Sequence, residues 1–306
     1  MTRPPKLVVL GSCTVDLVLQ MPRLPLAGET LFADRSGIFP GGKGLNAAVA
    51  ASRLGATSAV IGRVGDDALG ALLRETLRAE GVNDADVTVD TRTPSGVAVP
   101  VVLPGGGNSI LAAPGANLTL GVDQAEASRG LIAEADVLVA QFETPMTAVV
   151  VAAAIARAAG TRFLLNPAPA QPLPPELWPL VDVLVVNEVE AAMLAPSARD
   201  PLGQAMALAA NGPRLVAVTL GPDGVVWAGD DGNGASAALP VTAVDTVGAG
   251  DAFCAALAVG LAEGRATADA VRFASVVAGL SVTKVGAAPS YPSRREVHDA
   301  LAAWTP

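Results

Sequence analysis

The chain has 306 residues, of which 51% are hydrophobic and only 3% aromatic, and it carries a net charge of −9. A large core must therefore be built from Ala, Val and Leu, while the acidic balance argues against a nucleic-acid or anionic membrane surface. Two cysteines, Cys13 and Cys254, do not suggest a disulfide framework or a metal site, and the apolar run at 7–10 is too short for a signal segment or a membrane span, so a soluble cytoplasmic protein is expected.

In chain order, residues 6–11 are short and β-branched and predict a buried strand. From 14 to 39 no helical period is present: Val15, Leu17 and Leu19 alternate with Asp16, Val18 and Gln20, and Pro22, Pro25 and Gly28 punctuate the residues after them. Gly41-Gly42-Lys43-Gly44-Leu45-Asn46 then opens a small-residue helix over 44–54, ended by Gly55. Residues 37–44 come near the phosphate-loop pattern, but Gly44 stands where a Mg²⁺-binding hydroxyl is needed and no buried strand precedes it. What remains is a cation and an amide on a tight backbone, suited to a polyhydroxylated ligand or to developing negative charge. The plain alternative is a Gly-rich helix start with Lys43 in solvent.

A strand is predicted at 58–61 and a helix at 68–80, and two alternating stretches, 96–103 and 109–112, flank the turn Pro104-Gly105-Gly106-Gly107-Asn108. A βα rhythm then runs through strands 137–141, 162–165, 183–186 and 214–219 and helices 147–159, 188–194 and 202–210. That alternation implies a largely parallel sheet covered by helices, with ligands at the carboxyl ends of its strands. Gly11-Ser12, Glu143, Asn166, Asn187 and Gly221 all come just after predicted strands, which favours one shared cleft. No internal repeat or linker divides the chain, and 1–306 reads as one domain. The lone His298 receives no role.

Residues 245–253, Asp-Thr-Val-Gly-Ala-Gly-Asp-Ala-Phe, carry the most chemistry. Gly248, Ala249 and Gly250 let a ligand approach the backbone, and the N–H groups opening the apolar helix at 252–257 form an anion site. Asp251 there would repel a resting phosphate, so its expected use is to take a proton from a hydroxyl beside a phosphoryl group in transfer. The plain alternative is a helix-start charge worth about 0.3–1 kcal/mol.

The two Gly-rich elements, with Asp16, Gly28-Glu29-Thr30, Gly65-Asp66-Asp67, Gly115-Ala116-Asn117, Glu143-Thr144-Pro145, Asn166-Pro167-Ala168-Pro169, Asn187-Glu188-Val189-Glu190-Ala191 and Thr219-Leu220-Gly221-Pro222-Asp223-Gly224 in order between and around them, resemble the ribokinase or PfkB-type carbohydrate kinase family over about 7–292. Within it the likeness is nearest to the ribokinases, through 105–120 and 166–169. The resemblance implies a three-layer α/β fold with a mainly parallel sheet and a small β-sheet lid drawn from about 14–39 and 96–112. It implies transfer of the γ-phosphoryl of MgATP to ribose or a related free sugar. Asp251 resembles the catalytic base and Gly248, Ala249 and Gly250 the anion hole. Thr14, Asp16, Gly42, Lys43, Asn46, Glu143 and Asp251 fall on the sugar-binding set. Asn187, Thr219, Leu220, Gly221, Pro222, Asp223, Gly224, Gly250 and Ser275 fall on the nucleotide set, and Glu190 on the residue that organises Mg²⁺ through water. Asp245, Val247, Ser281, Lys284, Gly286 and Ser290 fall on the positions of a K⁺ site, several through carbonyls alone. The resemblance also favours a homodimer through the lid.

One departure stands out: ribokinases carry Asn where this chain has Thr14, which keeps a hydroxyl but loses the amide's reach and two donors. Other acceptors therefore stay open. A nucleoside would need an aromatic cradle, for which Phe32 and Phe39 are the candidates in the lid region, and a phosphosugar would need cations such as Arg23 and Arg35. A non-catalytic sugar or nucleotide sensor is the third reading, against which the complete Gly-Ala-Gly-Asp turn speaks.

Overall fold

The computed structural model describes residues 3–104 and 108–304, so the Gly105–Gly107 part of the expected lid turn lies outside the described residues. The first half of the chain runs β1 (Lys6–Leu10), β2 (Thr14–Gln20), β3 (Arg35–Gly41), α1 (Lys43–Arg53), β4 (Thr57–Gly65), α2 (Ala68–Ala79), β5 (Val87–Asp90), β6 (Gly96–Val102), β7 (Asn108–Ala113), α3 (Val122–Ala127), α4 (Arg129–Ala133), β8 (Val137–Gln141) and α5 (Met146–Ala159). The second half runs β9 (Arg162–Asn166), β10 (Val183–Asn187), α6 (Glu188–Leu194), α7 (Pro201–Ala209), β11 (Leu215–Thr219), β12 (Val225–Gly229), β13 (Gly232–Ser236), α8 (Ala249–Ala262), α9 (Thr267–Ser281) and α10 (Arg294–Ala303).

Nine strands form the main sheet in the order β13-β12-β11-β10-β9-β8-β1-β4-β5. It is parallel from β11 to β5, as the βα rhythm predicts. Successive strand residues face opposite sides, and here both sides are buried. Leu7 and Val9 of β1 join one core with α1, α8 and α9, while Val8 and Leu10 join a second core with α5 and α7. The same division recurs at Val137 and Val139 against Leu138 and Ala140, and it explains why these strands read as unbroken apolar runs.

Three strands escape the sequence reading. β5 is a short edge strand, and β12 and β13 are antiparallel additions at the opposite edge. Glycine-rich residues 232–236 show no alternation; they are a strand because β12, itself paired to β11, offers them an unpaired edge, and a Cβ on Gly234 would lie only 2.4 Å from the Trp227 ring. The helix expected at 252–257 also begins earlier, at Ala249, so Gly250 and Asp251 sit within its first turn.

The predicted lid is a separate four-stranded sheet, β3-β2-β6-β7. Asp16 of β2 is opposite Phe39 of β3 and beside Ala98 of β6, which is opposite Ala112 of β7, so these share one face of the lid. The other face carries Leu17 opposite Ile38 and Val99 opposite Leu111; Ile38 is 62% and Leu111 60% exposed. The side-chain amide of Asn117 fastens the lid's root. It accepts from the Cys13 N–H at 2.8 Å and donates to the Cys13 carbonyl at 2.9 Å, as a paired strand would.

The start of α1 sits directly on the end of β1. Leu45 N–H donates to the Ser12 carbonyl at 3.0 Å, and a Cβ on Gly44 would lie 2.5 Å from the Gly11 carbonyl carbon and 2.8 Å from Ser12 N. All these neighbours are backbone, so nothing there can rotate away. Gly44→Ala is expected to destabilise the fold by about 1–3 kcal/mol, the usual result of overfilling a packed contact; a urea unfolding midpoint equal to that of the parent chain would show that α1 tolerates displacement from β1.

Candidate active site

Two helix starts, a strand of the lid and the end of a main-sheet strand converge on one cavity of about 550 Å³. α1 contributes Lys43 and Asn46, α8 contributes Asp251 behind Gly248, β2 contributes Thr14 and Asp16, and Glu143 comes just after β8. Every residue expected to bind sugar therefore lines a single space. Ser12, Phe142, Asn117, Pro169 and Thr246 line it too; the sequence reading gives none of them a binding role, although the position of Ser12 immediately after the first strand is a usable signal.

Asp251 is almost fully buried at the start of α8. Its carboxylate accepts from Asn46 Nδ2 at 2.9 Å and lies 3.9 Å from Lys43 Nζ. Burial pushes the Asp251 carboxyl up, the Lys43 charge and the Asn46 hydrogen bond pull it back, and the Glu143 charge adds to the rise. Lys43 in turn is held above its ordinary value, chiefly by the Asp251 charge. Asn46 Oδ1 is buried without a partner. Asp16 is pushed up to about 6 by burial, with the charges of Glu143 and Asp251 adding to it and the hydrogen bond from Thr14 opposing it. That Thr14 hydroxyl donates to Asp16 Oδ1 at 3.2 Å, and Ser12 Oγ donates to Glu143 Oε2.

The balance of charge in the cavity bears on the acceptor. Asp16, Glu143 and Asp251 face a single ammonium, Lys43, among the lining residues. Arg23 is paired with Glu29, and neither Arg23 nor Arg35 lines the cavity. A neutral polyol suits such a site, because its hydroxyls donate to carboxylates, whereas a phosphosugar would be repelled. Phe32 and Phe39 do not line the cavity, and among the described residues Phe142 is its one aromatic side chain.

The α8 turn has the form an anion site requires. Gly248 is left-handed at φ 78° and ψ 0°, which turns the chain so that the next N–H groups point out of the helix start. A Cβ on Gly250 would meet no atom within 4 Å, so the space over this turn is open.

The expected nucleotide residues are not part of the cavity lining. Asn187 ends β10 and Thr219 ends β11; the two are register partners, and Gly221, Pro222 and Asp223 extend beyond them as an exposed shelf with Leu220 half-buried and Gly224 buried. Asn187 and Glu190 form a reciprocal cap on α6: the Asn187 side chain accepts from Glu190 N–H, and Glu190 Oε2 accepts from Asn187 N–H, both at 2.9 Å. Both side chains thus serve as an ordinary helix cap, with Glu190 Oε1 left over. Burial raises the Glu190 carboxyl, the Asn187 N–H and the Lys43 charge oppose this, and Asp251 adds to it, so shelf and cavity are within electrostatic reach. Ser275 is buried in α9, where its hydroxyl donates to the Val271 carbonyl at 3.0 Å. Among the described residues no group of three or more acidic, His or Cys side chains could hold a metal ion unaided.

The positions expected for a monovalent cation are partly gathered. Val244 and Asp245 N–H groups donate to the Val282 carbonyl at 2.7 and 3.2 Å, and Asp245 accepts from Val247 N–H at 3.0 Å and Gly286 N–H at 2.9 Å. Ser281 and Ser290 hydroxyls bond back to the Ala278 and Ala287 carbonyls, both at 2.8 Å, while Lys284 is exposed and paired with Glu296. Side chains at three of the six positions are therefore engaged elsewhere, leaving their carbonyls as the available groups.

Residues 4–294 match the family described as pfkB family carbohydrate kinase. The chain is 39% identical over 293 residues to the ribokinase of Bacillus subtilis, with 96% of this chain and 98% of that one covered. It is 36% identical over 299 residues to the ribokinase of Haemophilus influenzae, at the same coverage of 96% and 98%. Among solved structures, the Arabidopsis thaliana ribokinase complexed with ribose and ATP superposes with a TM-score of 0.89 at 32% identity, covering 98% of this chain and 99% of that one. No helix among the described residues is long and apolar enough to cross a membrane.

Proposed function

This chain belongs to the pfkB family of carbohydrate kinases, and from that premise we propose that it transfers the γ-phosphoryl of MgATP to a hydroxyl of ribose, with Asp251 as the base. The chain is a phosphotransferase acting on a sugar hydroxyl. The observation that carries the residue-level reading is the buried Asp251 carboxylate, in the first turn of α8 beside the open backbone of Gly250 and inside the cavity with Asp16, Lys43, Asn46 and Glu143.

The acceptor hydroxyl loses its proton to Asp251 as its oxygen bonds to the γ-phosphorus and the bond to the departing ADP breaks. Burial raises the proton affinity of Asp251, which suits a base, while Lys43 and Asn46 keep its ionised form accessible. The N–H groups of Gly250 and Asp251, with Gly248 and Ala249 shaping the turn, face the charge that develops on the transferred group. Asp16 and Glu143 accept from ring hydroxyls, and Lys43, Asn46, Thr14 and the Gly42 backbone complete the sugar's shell. Thr14 spends its hydroxyl on Asp16, so Asp16 does the orienting that an amide at position 14 would share.

The nucleotide would rest on the shelf of Asn187 and 219–224, which stands at the carboxyl ends of β10 and β11. The buried, hydrogen-bonded Ser275 would contribute there through backbone or contact alone. A Mg²⁺ ion bound with the triphosphate would neutralise charge on the phosphates, and Glu190, whose Oε1 the cap leaves free, would hold it through water. K⁺ would be held by carbonyls around Asp245, Val247, Ser281, Lys284, Gly286 and Ser290, and the Asp245 carboxylate already ties these two loops together. A homodimer through the lid is supported by the outward apolar face of Leu17, Ile38, Val99 and Leu111, and sedimentation should give about twice the 30.5 kDa chain mass; a monomer at micromolar concentration would remove it.

A coupled ADP-release assay tests the main reading. Ribose should be turned over in MgATP, and Asp251→Asn should lower kcat by about 10²–10⁴ while sugar affinity stays near that of the parent; near-normal turnover would refute the base. Because sugar hydroxyls bind the ionised form of Asp16, kcat/KM for sugar should decline as pH is lowered through about 6; a flat profile between about pH 5 and 7, a range that brackets that titration, speaks against Asp16. Replacing Na⁺ by K⁺ should raise the rate, and equal rates in both salts would eliminate the cation site.

A further inference from the structure

The turn that aims the anion-site N–H groups has no side-chain cap of its own, because Gly248 has no side chain. Its carbonyl nevertheless accepts two hydrogen bonds. One comes from Ala252 N–H at 2.9 Å within α8, and the other from the phenol of Tyr291 at 3.1 Å. Tyr291 is remote in sequence, 2% exposed, and closes the back of the turn: a Cβ on Gly248 would lie 2.5 Å from its hydroxyl and 2.6 Å from Ala287 Cβ.

Tyr291 is itself held. Arg53 donates from Nη1 to the Tyr291 carbonyl at 2.8 Å, and its guanidinium is fixed by Glu80 through two bonds of 2.9 and 2.6 Å. Arg53 is the last residue of α1, the helix whose first turn sends Asn46 and Lys43 to Asp251. One helix therefore holds the Asp251 side chain at its start and, through Tyr291, the main chain ahead of Asp251 at its end.

We propose that Tyr291 is a positioning residue for phosphoryl transfer, whose hydroxyl pins the Gly248 carbonyl and so orients the N–H groups of the turn and the Asp251 carboxylate. It acts through Gly248 and touches no reacting atom. Its value is expected in the transition state, because the sugar's ground-state contacts come from Asp16, Lys43, Asn46 and Glu143, which Tyr291 does not touch by hydrogen bond. Small displacements of such a turn are costly to rate: a shift of about 1 Å can lower it about 10²-fold.

The inference rests on the proposed role of Asp251, and the experiment separates the two. Tyr291→Phe keeps the ring and deletes one hydroxyl. In steady-state ADP release it should lower kcat roughly tenfold or more, within the range that misplacement of a catalytic turn produces. Sugar KM, and sugar affinity measured by calorimetry without nucleotide, should stay within about twofold, with the far-UV melting transition still cooperative. Arg53→Lys, which loosens the brace while leaving Tyr291 in place, should reproduce the same kcat-selective loss in milder form. Unchanged kcat in Tyr291→Phe overturns the proposal, as does a loss of kcat matched by loss of sugar affinity and of melting temperature, which marks a purely structural tyrosine. If Asp251→Asn is inactive while Tyr291→Phe is fully active, the positioning role alone falls; if Asp251→Asn is active, the base assignment falls first.

Discussion

A carboxylate buried at the start of a helix is the constraint around which this protein is arranged. Taking Asp251 out of water penalises its charge, and the opposing groups must come from elsewhere in the chain. They come from α1: the Asn46 amide at 2.9 Å and the Lys43 ammonium at 3.9 Å. Two helices must therefore begin at the same place, over the carboxyl edge of a parallel sheet, and this explains the composition along their contact. Ala47, Ala48, Ala50 and Ala51 of α1 and Ala252, Ala255, Ala256 and Ala258 of α8 are buried in one core, where small residues let the helices approach. Gly44 carries the same requirement to its limit, where α1 meets the backbone of β1.

The lid answers a second need. A sheet edge alone leaves its ligand open to water, and β2 returns over the cavity with Asp16 on its inner face. Three carboxylates against one ammonium give the cavity an excess of hydrogen-bond acceptors, which is why the proposed acceptor is a neutral sugar. Asp16 is pushed up to about 6 chiefly because it is buried, with Glu143 and Asp251 close by. The exposed shelf beyond β10 and β11 has the opposite character, being short of charge and rich in backbone, as fits a nucleotide laid along strand ends.

Legibility in the sequence tracks local physics. β8 to β11 are readable because strands buried on both faces are short apolar runs, and β2 because Asp16 and Gln20 alternate with Val15, Leu17 and Leu19. β12 and β13 are not: the glycines of β13 carry no pattern, and β12 and β13 form strands by adding in turn to the free edge of β11. The start of α8 lies three residues before its expected place, since a left-handed Gly248 ahead of a helix has no signature in residue type beyond the glycine itself. For Asn187 and Glu190 the family resemblance implies ligand positions while residue type at a helix start fits a cap, and the cap is what the side chains make.

Residue type and order by themselves determined the parallel sheet, the strands outside its βα rhythm and the two Gly-rich turns, because these depend on backbone freedom and burial period within a few residues, whereas the lid and the expected sugar-binding set came only with the family resemblance. Only the tertiary structure decided which of those side chains meet. Asn46 reaches Asp251 across 205 residues, Thr14 spends its hydroxyl on Asp16, Ser275 turns back into its own helix, and Tyr291 finds the Gly248 carbonyl. Each is a choice of one hydrogen-bond partner among several, made when remote helices and strands settle against a common core, and no local propensity encodes it.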